Sequence, residues 1–546
     1  MNAAADTDVE STDVVVLGGG LAGLCLAIQL KQRDPSLAVT VLERRAGAAP
    51  DAAFKVGEST VEIGAHYFAE TLGLREHLER EQIRKFGFRF FFSEGSDDPA
   101  RCTELGVSEL LPTPSWQLDR GRFENFLALR ARELGVDLRE GAAVHALEPG
   151  RDGEAHVVAF AVDERERCLR ARWLVDASGR AGLLKHRLGL ERANAHAVSA
   201  AWWRVEGIVD PNDWSGDAEW IARCTPPERW RSTNHLCGPG YWAWMIPLAS
   251  GAHSIGIVAD ETLHPLDTYN SHAKAMAWLR EHQPRLAAQL DDPRHAVMDF
   301  RFLRHFSHDC AQSFSADRWA ITGEAGVFLD PFYSPGSDFI AITNTLACEL
   351  VQRDRAGKPI APHAAIYQQL LESIYENTLT LYQDQYPIFG DAQVMPVKVI
   401  WDYTWYWSLL APLAMSGRIA DIAMLGRFKP LLMRSQALNR AVQPLLREWC
   451  ARNAAPARAL EDGRLLDQFR IDWFHELNRG LADELDDDAF AARAAANVQR
   501  MESLAREILG HARESHPGID DRGLDALLGD LPATGSLSPA WYDEAA

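Results

Sequence analysis

The stretch "DVVVLGGGLAGLCLAIQLKQRDPSLAVTVLERR", residues 13–45, has the pattern of a strand, a tight turn, a helix and a second strand. Residues 14–17 form a short β-branched run of the kind that a parallel sheet buries on both faces. The turn carries glycines in the spacing G-x-G-x-x-G, and the second strand ends in Glu43, twenty residues after the last of them. This βαβ unit predicts an α/β fold with a Rossmann-like dinucleotide-binding domain.

Each part of the unit has a role in holding a dinucleotide. Glycine permits the tight turn and lets a pyrophosphate come close to the helix N-terminus, where free N–H groups and the helix dipole favour an anion. Glu43 is well placed to accept a hydrogen bond from a ribose hydroxyl. The predicted cofactor-binding residues of this unit are Gly18, Gly20, Leu21, Ala22, Gly23, Glu43 and Arg44.

The composition of the 546-residue chain is that of a globular enzyme with two or three structural units. Its net charge of −21 argues against nucleic acid as a partner, because phosphates are bound by Lys and Arg. The eight cysteines form no CxxC pair, which predicts reduced thiols and no metal site. The polar N-terminus and the lack of an 18-residue apolar run predict a cytoplasmic protein without a signal peptide or transmembrane segment.

Three later segments place a loop beside a strand or a helix: "WQLDRGRFENFLALRARELG" (116–135), "WLVDASGRAG" (173–182) and "RWAITGEAGVFLDP" (318–331). After an N-terminal βαβ unit, this order resembles the flavin monooxygenase superfamily with the p-hydroxybenzoate hydroxylase fold. The resemblance implies FAD as cofactor and adds four binding residues: Arg120, Asp176, Gly323 and Glu324. Glu324 stands where the superfamily has the shorter Asp. No second Gly-rich unit follows, so electrons are expected from a partner reductase or a transiently docked nicotinamide.

Two further motifs narrow the resemblance. "FKVGESTVEIG" (54–64) contains Glu58 and Ser59, and "YWAWMIPLASGAHSIGIV" (241–258) contains the pattern W-x-W-x-I-P. With the FAD cradle, over residues 12–345, they resemble the flavin-dependent halogenases of the tryptophan halogenase family. The resemblance implies that Glu58 and Ser59 bind the cofactor. It also implies that the double-Trp strand separates flavin from substrate, through Trp242, Trp244, Ile246 and Pro247.

The resemblance also implies a reaction. In that family a flavin hydroperoxide oxidises halide to hypohalous acid, which crosses an internal tunnel to a lysine beside an aromatic substrate. The matching lysine here is Lys85, at the start of the Phe-rich run "KFGFRFFF" (85–92), and its partly desolvated amine is expected to have a lowered pKa. Two simpler roles stay open for it, a snorkelling side chain or a partner of a carboxylate. Lys55 is the other candidate, as a flavin-side or surface residue, and strand alternation lets Arg89 share the pocket with Lys85 or cap the strand.

The segment "DPFYSPGSDFIAITN" (330–344) departs from the halogenase pattern. The family binds halide there with successive backbone N–H groups, and Pro335, between Ser334 and Gly336, has none. Gly336, which is also predicted to bind the cofactor, and Ser337 still offer donors, and Tyr333, Ser334 and Pro335 are predicted to line the substrate tunnel. Tyr333 replaces the Glu of tryptophan-selective members, which disfavours free tryptophan. Asp338 is either an N-cap of the next helix or a charge near the site.

Three alternative functions follow, two enzymatic and one without catalysis. The first is halogenation, with chloride or bromide, of an electron-rich aromatic such as a phenol or pyrrole, free or bound to a carrier protein. The second is hydroxylation or oxidation of such a substrate without halide, which the missing N–H of Pro335 favours. The third is a flavin-binding protein without turnover.

The chain is predicted to contain a discontinuous FAD-binding domain (12–190 and 314–350), a strand-rich substrate-binding region (195–305) and a C-terminal helical region (362–546). "WDYTWYWSLLAPLAMSG" (401–417) predicts a buried helix or a lid, since it is short and contains an acid. Residues 426–452 are strongly basic. They are either a dock for an acidic carrier protein or a helix face balanced by acids such as "DELDDD" (483–488).

Overall fold

The computed structural model describes residues 9–52, 55–92, 98–453 and 465–529. This part of the chain divides into two compact units. The first contains the described residues up to Arg80, Leu118–Asn194 and Ser307–Tyr375, and the second contains Glu81–Gln117, Ala195–Phe306 and the described residues from Glu376 onward. None of the helices in these ranges is both long and apolar enough to cross a membrane.

The strands of the described residues are, in chain order, β1 (Val9–Leu17), β2 (Val39–Glu43), β3 (Ile83–Arg84), β4 (Phe88–Phe92), β5 (Thr103–Gly106), β6 (Trp116–Gln117), β7 (Asp137–Glu140), β8 (Ala143–Glu148), β9 (His156–Val162), β10 (Arg165–Asp176), β11 (Glu191–Arg192), β12 (Val198–Glu206), β13 (Thr233–Gly238), β14 (Tyr241–Pro247), β15 (Ala252–Asp260), β16 (Arg301–Leu303), β17 (Asp309–Cys310), β18 (Trp319–Ile321) and β19 (Leu465–Asp467).

The α-helices of the same residues are α1 (Leu21–Arg33), α2 (Glu62–His66), α3 (Arg75–Glu81), α4 (Arg120–Glu133), α5 (Leu183–Leu188), α6 (Ala218–Ala222), α7 (His272–His282), α8 (Pro284–Leu290), α9 (Gly336–Arg355), α10 (Ala361–Leu379), α11 (Val394–Trp405), α12 (Ala411–Met415), α13 (Ile422–Arg452), α14 (Asp472–Arg479), α15 (Asp487–Ser515) and α16 (Leu524–Leu528). A π-helical turn continues α2 over Tyr67–Thr71, and another continues α11 over Tyr406–Leu410.

The first unit is built on a sheet that has seven strands within the described ranges. Its order is β7-β2-β1-β10-β9-β8, with β18 also paired to β10. The strands β7, β2, β1, β10 and β18 run parallel, while β9 and β8 form an antiparallel edge. Residues 14–17 of β1 are fully buried, which is why this strand has no polar side chain there. The strand, turn, helix and strand predicted over residues 13–45 are confirmed as β1, α1 and β2.

The second unit is built on a sheet that has eight strands among the described residues, in the order β16-β12-β15-β14-β13-β4-β5-β19. Its two faces differ because side chains alternate along each strand. One face packs on α7 and α8 and is mostly apolar, with Phe91, Leu236 and Met245 among its buried side chains, and it also carries the buried Arg89 with its partner Glu104. The opposite face is aromatic and carries Phe88, Phe90, His235, Trp242 and Trp244.

The helices after α10 belong to the second unit. The segment 401–417, predicted as a buried helix or a lid, lies within α11, the π-helical turn and α12, and every residue of α11 is buried. A buried hydrogen-bonded group ties α11 to α13. Lys398 donates to Asp402 over 2.7 Å and to Gln443 over 2.8 Å, and Gln443 donates back to Asp402 over 2.7 Å.

Candidate functional site

The turn between β1 and α1 is shaped by glycines that no other residue could replace. Gly18 has φ +106°, and a Cβ there would lie 2.5 Å from the carbonyl oxygen of Ala177. A Cβ on Gly23 would lie 2.0 Å from the carbonyl oxygen of Gly18. At Gly20, by contrast, the nearest atom to an added Cβ is Nζ of Lys55, 4.0 Å away. The turn therefore leaves open space in front of the first N–H groups of α1, where an anion is favoured.

Glu43 is held beside this turn at the end of β2. Its Oε2 accepts from the N–H of Gly19 over 2.7 Å, and its Oε1 accepts from the N–H of Arg45 over 2.7 Å. A carboxylate has about four acceptor sites, so each oxygen can still accept from a ribose hydroxyl. Arg44 is exposed next to it.

A buried carboxylate organises two cations near the same turn. Glu124 of α4 accepts from Nζ of Lys55, and over 2.6 Å from Nη2 of Arg120. Burial would raise the pKa of Glu124, but the charges of Arg120 and Lys55 outweigh it and hold the pKa below its ordinary value. Arg120 also donates to the carbonyl of Val56 over 2.5 Å, while its buried Nε has no partner among the described residues.

These features fit FAD. The open space at Gly20, the free helix N–H groups and the unpartnered Nε of Arg120 are what a pyrophosphate and a flavin ring system need. Glu58 and Ser59 lie buried in the same unit, and the carbonyl of Glu58 accepts from the N–H of Leu118 over 2.5 Å.

The loops after β10 and β18 also reach this region. Gly323 has φ +60°, and a Cβ there would lie 2.9 Å from Cβ of Ala22 in the first turn of α1. Glu324, the next residue, is half-buried and lies 3.6 Å from Nε of Arg180. Arg180 was missed by sequence reasoning, although its place directly after "ASG" puts it in the loop that follows β10.

Asp176 lies at the end of β10 and is fully buried. Its Oδ1 accepts from the N–H of Ser178 over 2.9 Å, and its Oδ2 accepts from the N–H of Leu184 over 2.7 Å. Burial raises the pKa of Asp176 against these hydrogen bonds. The carboxylate thus shapes the loop, and its predicted contact with the cofactor stays a prediction.

The N-terminus of α9 carries the segment expected to bind halide. Ser334 has φ +52° and its N–H donates to the carbonyl of Pro331 over 2.9 Å. Pro335 is the N-cap and contributes no N–H. Gly336 is exposed with open space around it, and the buried hydroxyl of Ser337 has no partner in the described part of the chain. Tyr333 is half-buried, with its ring 4.7 Å from that of the preceding Phe332.

The N-cap prediction for Asp338 is wrong. α9 begins two residues earlier, at Gly336, so Asp338 lies inside its first turn. Its Oδ1 instead accepts from the N–H of Gly64 over 2.8 Å, because α2 packs directly against α9.

Lys85 lies in the second unit and is almost fully buried, with 3% of its surface exposed. Its N–H donates to the carbonyl of Ser115 over 2.9 Å. Its Nζ lies 3.3 Å from the ring centroid of Phe88, the first residue of β4. A cation at this distance from an aromatic face is attracted by the ring quadrupole, so the ammonium is directed into the aromatic face of the sheet.

Arg89 does not share that environment, and neither of its predicted roles holds. Its fully buried guanidinium donates to Glu104 and, over 2.6 Å, to the carbonyl of Val107. Glu104 also accepts from Nε of Arg229 over 2.9 Å. The alternation that paired Arg89 with Lys85 fails because Gly87, between them, has φ +65° and turns the chain before β4 begins.

The aromatic face around Lys85 is a close-packed group of rings. Phe88 lies edge-on to His235 with centroids 5.2 Å apart, and Phe90 stacks on His235 at 4.5 Å. Trp242 lies 5.1 Å from His235, and Tyr403 of α11 lies 6.1 Å from Phe88. No motif in the sequence pointed to His235, which reaches this group through the pairing of β13 with β4.

The two tryptophans of β14 are fixed by their indole N–H groups. Trp242 donates to Oη of Tyr386 over 3.0 Å, and Trp244 donates to Oγ of Ser254 over 3.1 Å. Their rings lie 5.7 Å apart on one face of the strand. Ile246 and Pro247 are buried at its end.

Comparison with known proteins agrees with these features. Residues 11–233 match the FAD binding domain family. The chain is 25% identical over 439 residues to the flavin-dependent halogenase chlA of Dictyostelium discoideum, which covers 73% of this chain and 70% of chlA. It is 25% identical over 349 residues to the 1H-pyrrole-2-carbonyl-[peptidyl-carrier protein] brominase of Pseudoalteromonas luteoviolacea (strain 2ta16), covering 64% of this chain and 79% of the brominase.

Solved structures give the same fold. The halogenase PltM in complex with phloroglucinol and FAD superposes with a TM-score of 0.63 at 16% identity, over 92% of this chain and 99% of PltM. The flavin-dependent brominase Bmp2 gives a TM-score of 0.54 at 22% identity, over 70% of this chain and 89% of Bmp2.

The predictions of an α/β FAD-binding fold and of FAD as cofactor are confirmed. The chain is an FAD-dependent oxidoreductase with the fold of solved flavin-dependent halogenases. The relatives named above support the resemblance to flavin-dependent halogenases in general, and they add nothing for the tryptophan-specific subgroup.

Proposed function

We propose that the protein halogenates an electron-rich aromatic compound, using reduced FAD, oxygen and chloride or bromide. The observation that carries this proposal is the buried ammonium of Lys85, set 3.3 Å over Phe88 within an aromatic group of residues. A buried lysine needs a reason, since removing an ammonium from water is costly. The halogenase resemblance, which sets a lysine after the G-E-S segment, supports this role, and β4, which follows Lys85, belongs to the same sheet as the double-Trp strand β14 with β13 between them.

Different residues of the chain hold the cofactor, direct the halogen and enclose the substrate. FAD, when bound and reduced, supplies the activation of oxygen with which halide is oxidised. The glycines of the first turn, Glu43 and Arg120 hold the cofactor. Lys85 receives or orients the electrophilic halogen, since an amine in apolar surroundings is a directional donor and, when neutral, a nucleophile. Trp242 and Trp244, each anchored by a hydrogen bond, form a rigid wall of the aromatic group.

Halide binding falls to the N-terminus of α9. Four N–H groups at a helix start lack partners inside the helix and attract anions. Here the N–H of Ser334 already donates to the carbonyl of Pro331, and Pro335 has no N–H. Gly336 and Ser337 are therefore the donors that remain for halide. This reduced set is the observation that favours the second candidate function, hydroxylation or oxidation of the same substrate without halide.

The substrate is proposed to be a phenol, a pyrrole or a similar aromatic ring. Carrier-bound delivery is supported by two relatives that act on pyrrole held by a peptidyl carrier protein, the brominase above and a chlorinase of Pseudomonas fluorescens. A separate flavin reductase is proposed as the source of reduced FAD, since sequence analysis found only one Gly-rich βαβ unit.

The deciding experiment supplies the purified protein with reduced FAD, oxygen, bromide or chloride, and a panel of phenols, pyrroles and indoles. Mass spectrometry should show products carrying halogen. Products carrying oxygen, in yields that do not change when halide is omitted, would establish the second candidate. FAD binding with no oxygen-dependent product from any substrate would establish a protein without turnover.

A Lys85→Ala variant tests the role of the lysine. We expect it to bind FAD normally and to lose halogenation by about 100-fold or more, as for removal of a catalytic donor. Lys274→Ala removes an exposed lysine from the same unit and should have no effect. Normal halogenation by Lys85→Ala would remove Lys85 from the mechanism.

A further inference from the structure

We propose that Arg180 is a positioning residue of the cofactor site, which holds the carboxylate of Glu324 in place for the ribityl chain of FAD. The inference rests on the FAD-binding part of the proposed function and is the same for halogenation and for hydroxylation. It gives Arg180 a role, and it gives a reason for the departure at Glu324, which is one methylene longer than the Asp of the superfamily.

Arg180 and Glu324 lie on two loops at the same edge of the first sheet. Arg180 follows β10 and Glu324 follows β18, and these paired strands run parallel, so their carboxyl ends meet. β1, which precedes the glycine turn, pairs with β10 in parallel as well. Open α/β sheets bind their ligands at the carboxyl ends of the strands, so both residues lie at the edge where the cofactor is expected.

The loop after β18 reaches the first turn of α1. A Cβ on Gly323 would lie 2.9 Å from Cβ of Ala22, so the backbone next to Glu324 touches the helix start where the pyrophosphate is expected. In FAD the ribityl chain is joined directly to the pyrophosphate. A side chain that starts beside this helix turn is therefore within reach of the ribityl hydroxyls.

The backbone on the other side of Glu324 is fixed as well. Lys185 of α5 is buried, and its Nζ donates to the carbonyl of Gly326 over 3.0 Å. Gly323 packs on α1 and Gly326 is tied to α5, so the loop between them has little freedom. What remains to be set is the direction of the Glu324 side chain.

Arg180 sets that direction from a constrained position. Its Nε lies 3.6 Å from Oε2 of Glu324, and its guanidinium carbon lies 5.2 Å from the ring centroid of Phe328. Two backbone hydrogen bonds with His308, of 2.9 and 3.0 Å, hold Phe328 in place. A planar guanidinium between an aromatic ring and a carboxylate has few orientations open to it. The extra methylene of the Glu is what carries the carboxylate towards this cation.

The pair suits a polyol chain. A hydroxyl both donates and accepts hydrogen bonds, a carboxylate accepts them, and a guanidinium donates them, so the pair can satisfy a ribityl hydroxyl in both ways. The side chains of Arg180 and Glu324 are 34% and 32% exposed, so a ligand can contact them without opening the core. The positive charge also offsets the repulsion between Glu324 and the pyrophosphate.

The test measures the Kd for FAD by isothermal titration calorimetry of the full-length protein freed of flavin. It compares the parent, Arg180→Ala, Glu324→Asp and the double variant, because Glu324→Asp keeps the acid but withdraws it from Arg180 by one methylene. Arg180→Lys keeps the charge. Arg192→Ala is the matched control, since Arg192 forms an ion pair of similar length, 3.5 Å, with Asp309 in the same unit.

We expect Arg180→Ala to raise the Kd for FAD by about 5–10-fold, as for loss of a charge-assisted contact. In the presence of Glu324→Asp the same change should raise it by less than about 2-fold, because the two positions act as one unit. Arg180→Lys should keep most of the affinity, and Arg192→Ala should keep all of it. The Kd for ADP, which has the two phosphates but no ribityl chain, should be the same in Arg180→Ala and the parent.

An ion pair this exposed adds little to folding stability, so Arg180→Ala should fold, which the Tm of the flavin-free protein checks. If it does not fold, Arg180→Gln takes its place. An equal loss of FAD affinity with and without Glu324→Asp would mean that Arg180 acts on the cofactor by itself. An equal loss for ADP would mean that it acts on the phosphates, and no loss would mean that it has no role.

Each of these three results overturns the inference and leaves the proposed function standing, because none of them depends on a halogenated product. Absence of halogenated product from the parent protein, with the expected pattern of Kd values for FAD, overturns the proposed halogenation and leaves the role of Arg180 standing.

Discussion

The backbone at Gly87 sets the direction of Lys85. Gly87 adopts φ +65°, and a Cβ there would lie 3.0 Å from Cγ2 of Val107. This single left-handed residue turns the chain so that Lys85 folds back over Phe88, three positions along. Without the turn, strand alternation would put Lys85 on the face of Arg89, among charges and not among rings.

A Gly87→Ala variant should therefore lose both stability and activity. An alanine in the left-handed region costs about 1–2 kcal/mol, and the contact with Val107 adds to this cost. Gly73 has nearly the same backbone, φ +67°, with nothing within 4 Å of an added Cβ. Gly73→Ala should show the backbone cost alone and keep halogenation, as measured by thermal denaturation and product yield. Equal activity in the two variants would contradict a positioning role for Gly87.

For single residues, the sequence indicated which positions matter better than it indicated which way their side chains point. The glycines of the first turn were identified from their pattern, and Lys85 was singled out through the halogenase resemblance, with its catalytic role still a prediction. The separation of Arg89 from Lys85 was missed, because a positive φ at one glycine is not visible in strand alternation. His235 was missed as well, since its neighbours come from strand pairing and not from adjacent sequence.

Asp210 gives the protein a defined pH dependence. Burial raises its pKa from 3.8 to about 6. Between these values the folded state keeps a proton that the unfolded state has released, so this group lowers stability as the pH rises from about 4 to about 6. Its Oδ1 accepts from the N–H of Asn212 over 2.9 Å, a bond that an amide oxygen can replace.

Asp210→Asn should therefore raise Tm at about pH 7.5 and leave it unchanged below about pH 4. The control is Asp217→Asn, at the exposed N-cap of α6, where Asn and Asp cap about equally well. A gain that is the same at both pH values would show that ionisation of Asp210 is not its cause.

At the scale of elements, local patterns predicted local structure. The βαβ unit and the double-Trp strand were read correctly because their periodicities match buried parallel strands and a two-faced sheet strand. Strand β19 gave no such signal. It pairs with β5, about 360 residues earlier, through Leu465 and Glu104. Pairing over such a separation depends on the complete fold, so it cannot be predicted from the three residues of β19 alone.

The buried ion pair of Lys398 and Asp402, which links α11 to α13 through Gln443, should contribute measurably to the free energy of unfolding. Lys398→Met leaves Asp402 buried without its cation, which should cost about 3–5 kcal/mol. Replacing both, with Asp402→Leu added, should recover much of the loss because no lone charge remains. Arg80→Met breaks an exposed pair with Glu76 at the same i,i+4 spacing and should cost under about 0.5 kcal/mol.

Denaturant titration of the four proteins, including the parent, checks these values. A double variant that is as unstable as Lys398→Met would contradict the account, because it would mean that packing, and not the stranded charge, sets the cost. The stability of α11 also matters for the candidate site, because Tyr403 on α11 contacts Phe88.

At the scale of the whole molecule, the uneven distribution of charge along the sequence is informative. The net charge is −21, yet α13 is basic. Four of its five arginines form ion pairs with acids of neighbouring helices or of α13 itself: Arg427 with Asp488, Arg434 with Glu502, Arg440 with Glu376, and Arg452 with Glu448. Of the two interpretations of this segment, the geometry favours a helix face balanced by acids, including Asp488 from the "DELDDD" run.

Charge reversal on α13 should therefore affect stability and not carrier recognition. Arg434 donates to Glu502 over 2.6 Å and to the carbonyl of Leu527 over 2.9 Å, so Arg434→Glu sets two carboxylates against each other and should lower Tm. The swap Arg434→Glu with Glu502→Arg should restore most of it. Arg440→Glu, in an exposed pair, should change Tm little.

The activity ratio separates the two roles of α13. In Arg440→Glu and in the Arg434→Glu, Glu502→Arg swap, kcat/KM on a carrier-bound substrate divided by that on the free substrate should equal the parental ratio. Arg440 is the sharper probe because half of its side chain is exposed and its partner is 3.3 Å away. If Arg440→Glu kept its Tm but lost carrier-bound turnover alone, the acidic carrier would dock on α13 despite the internal pairing, because rim charges act mainly on encounter with a partner.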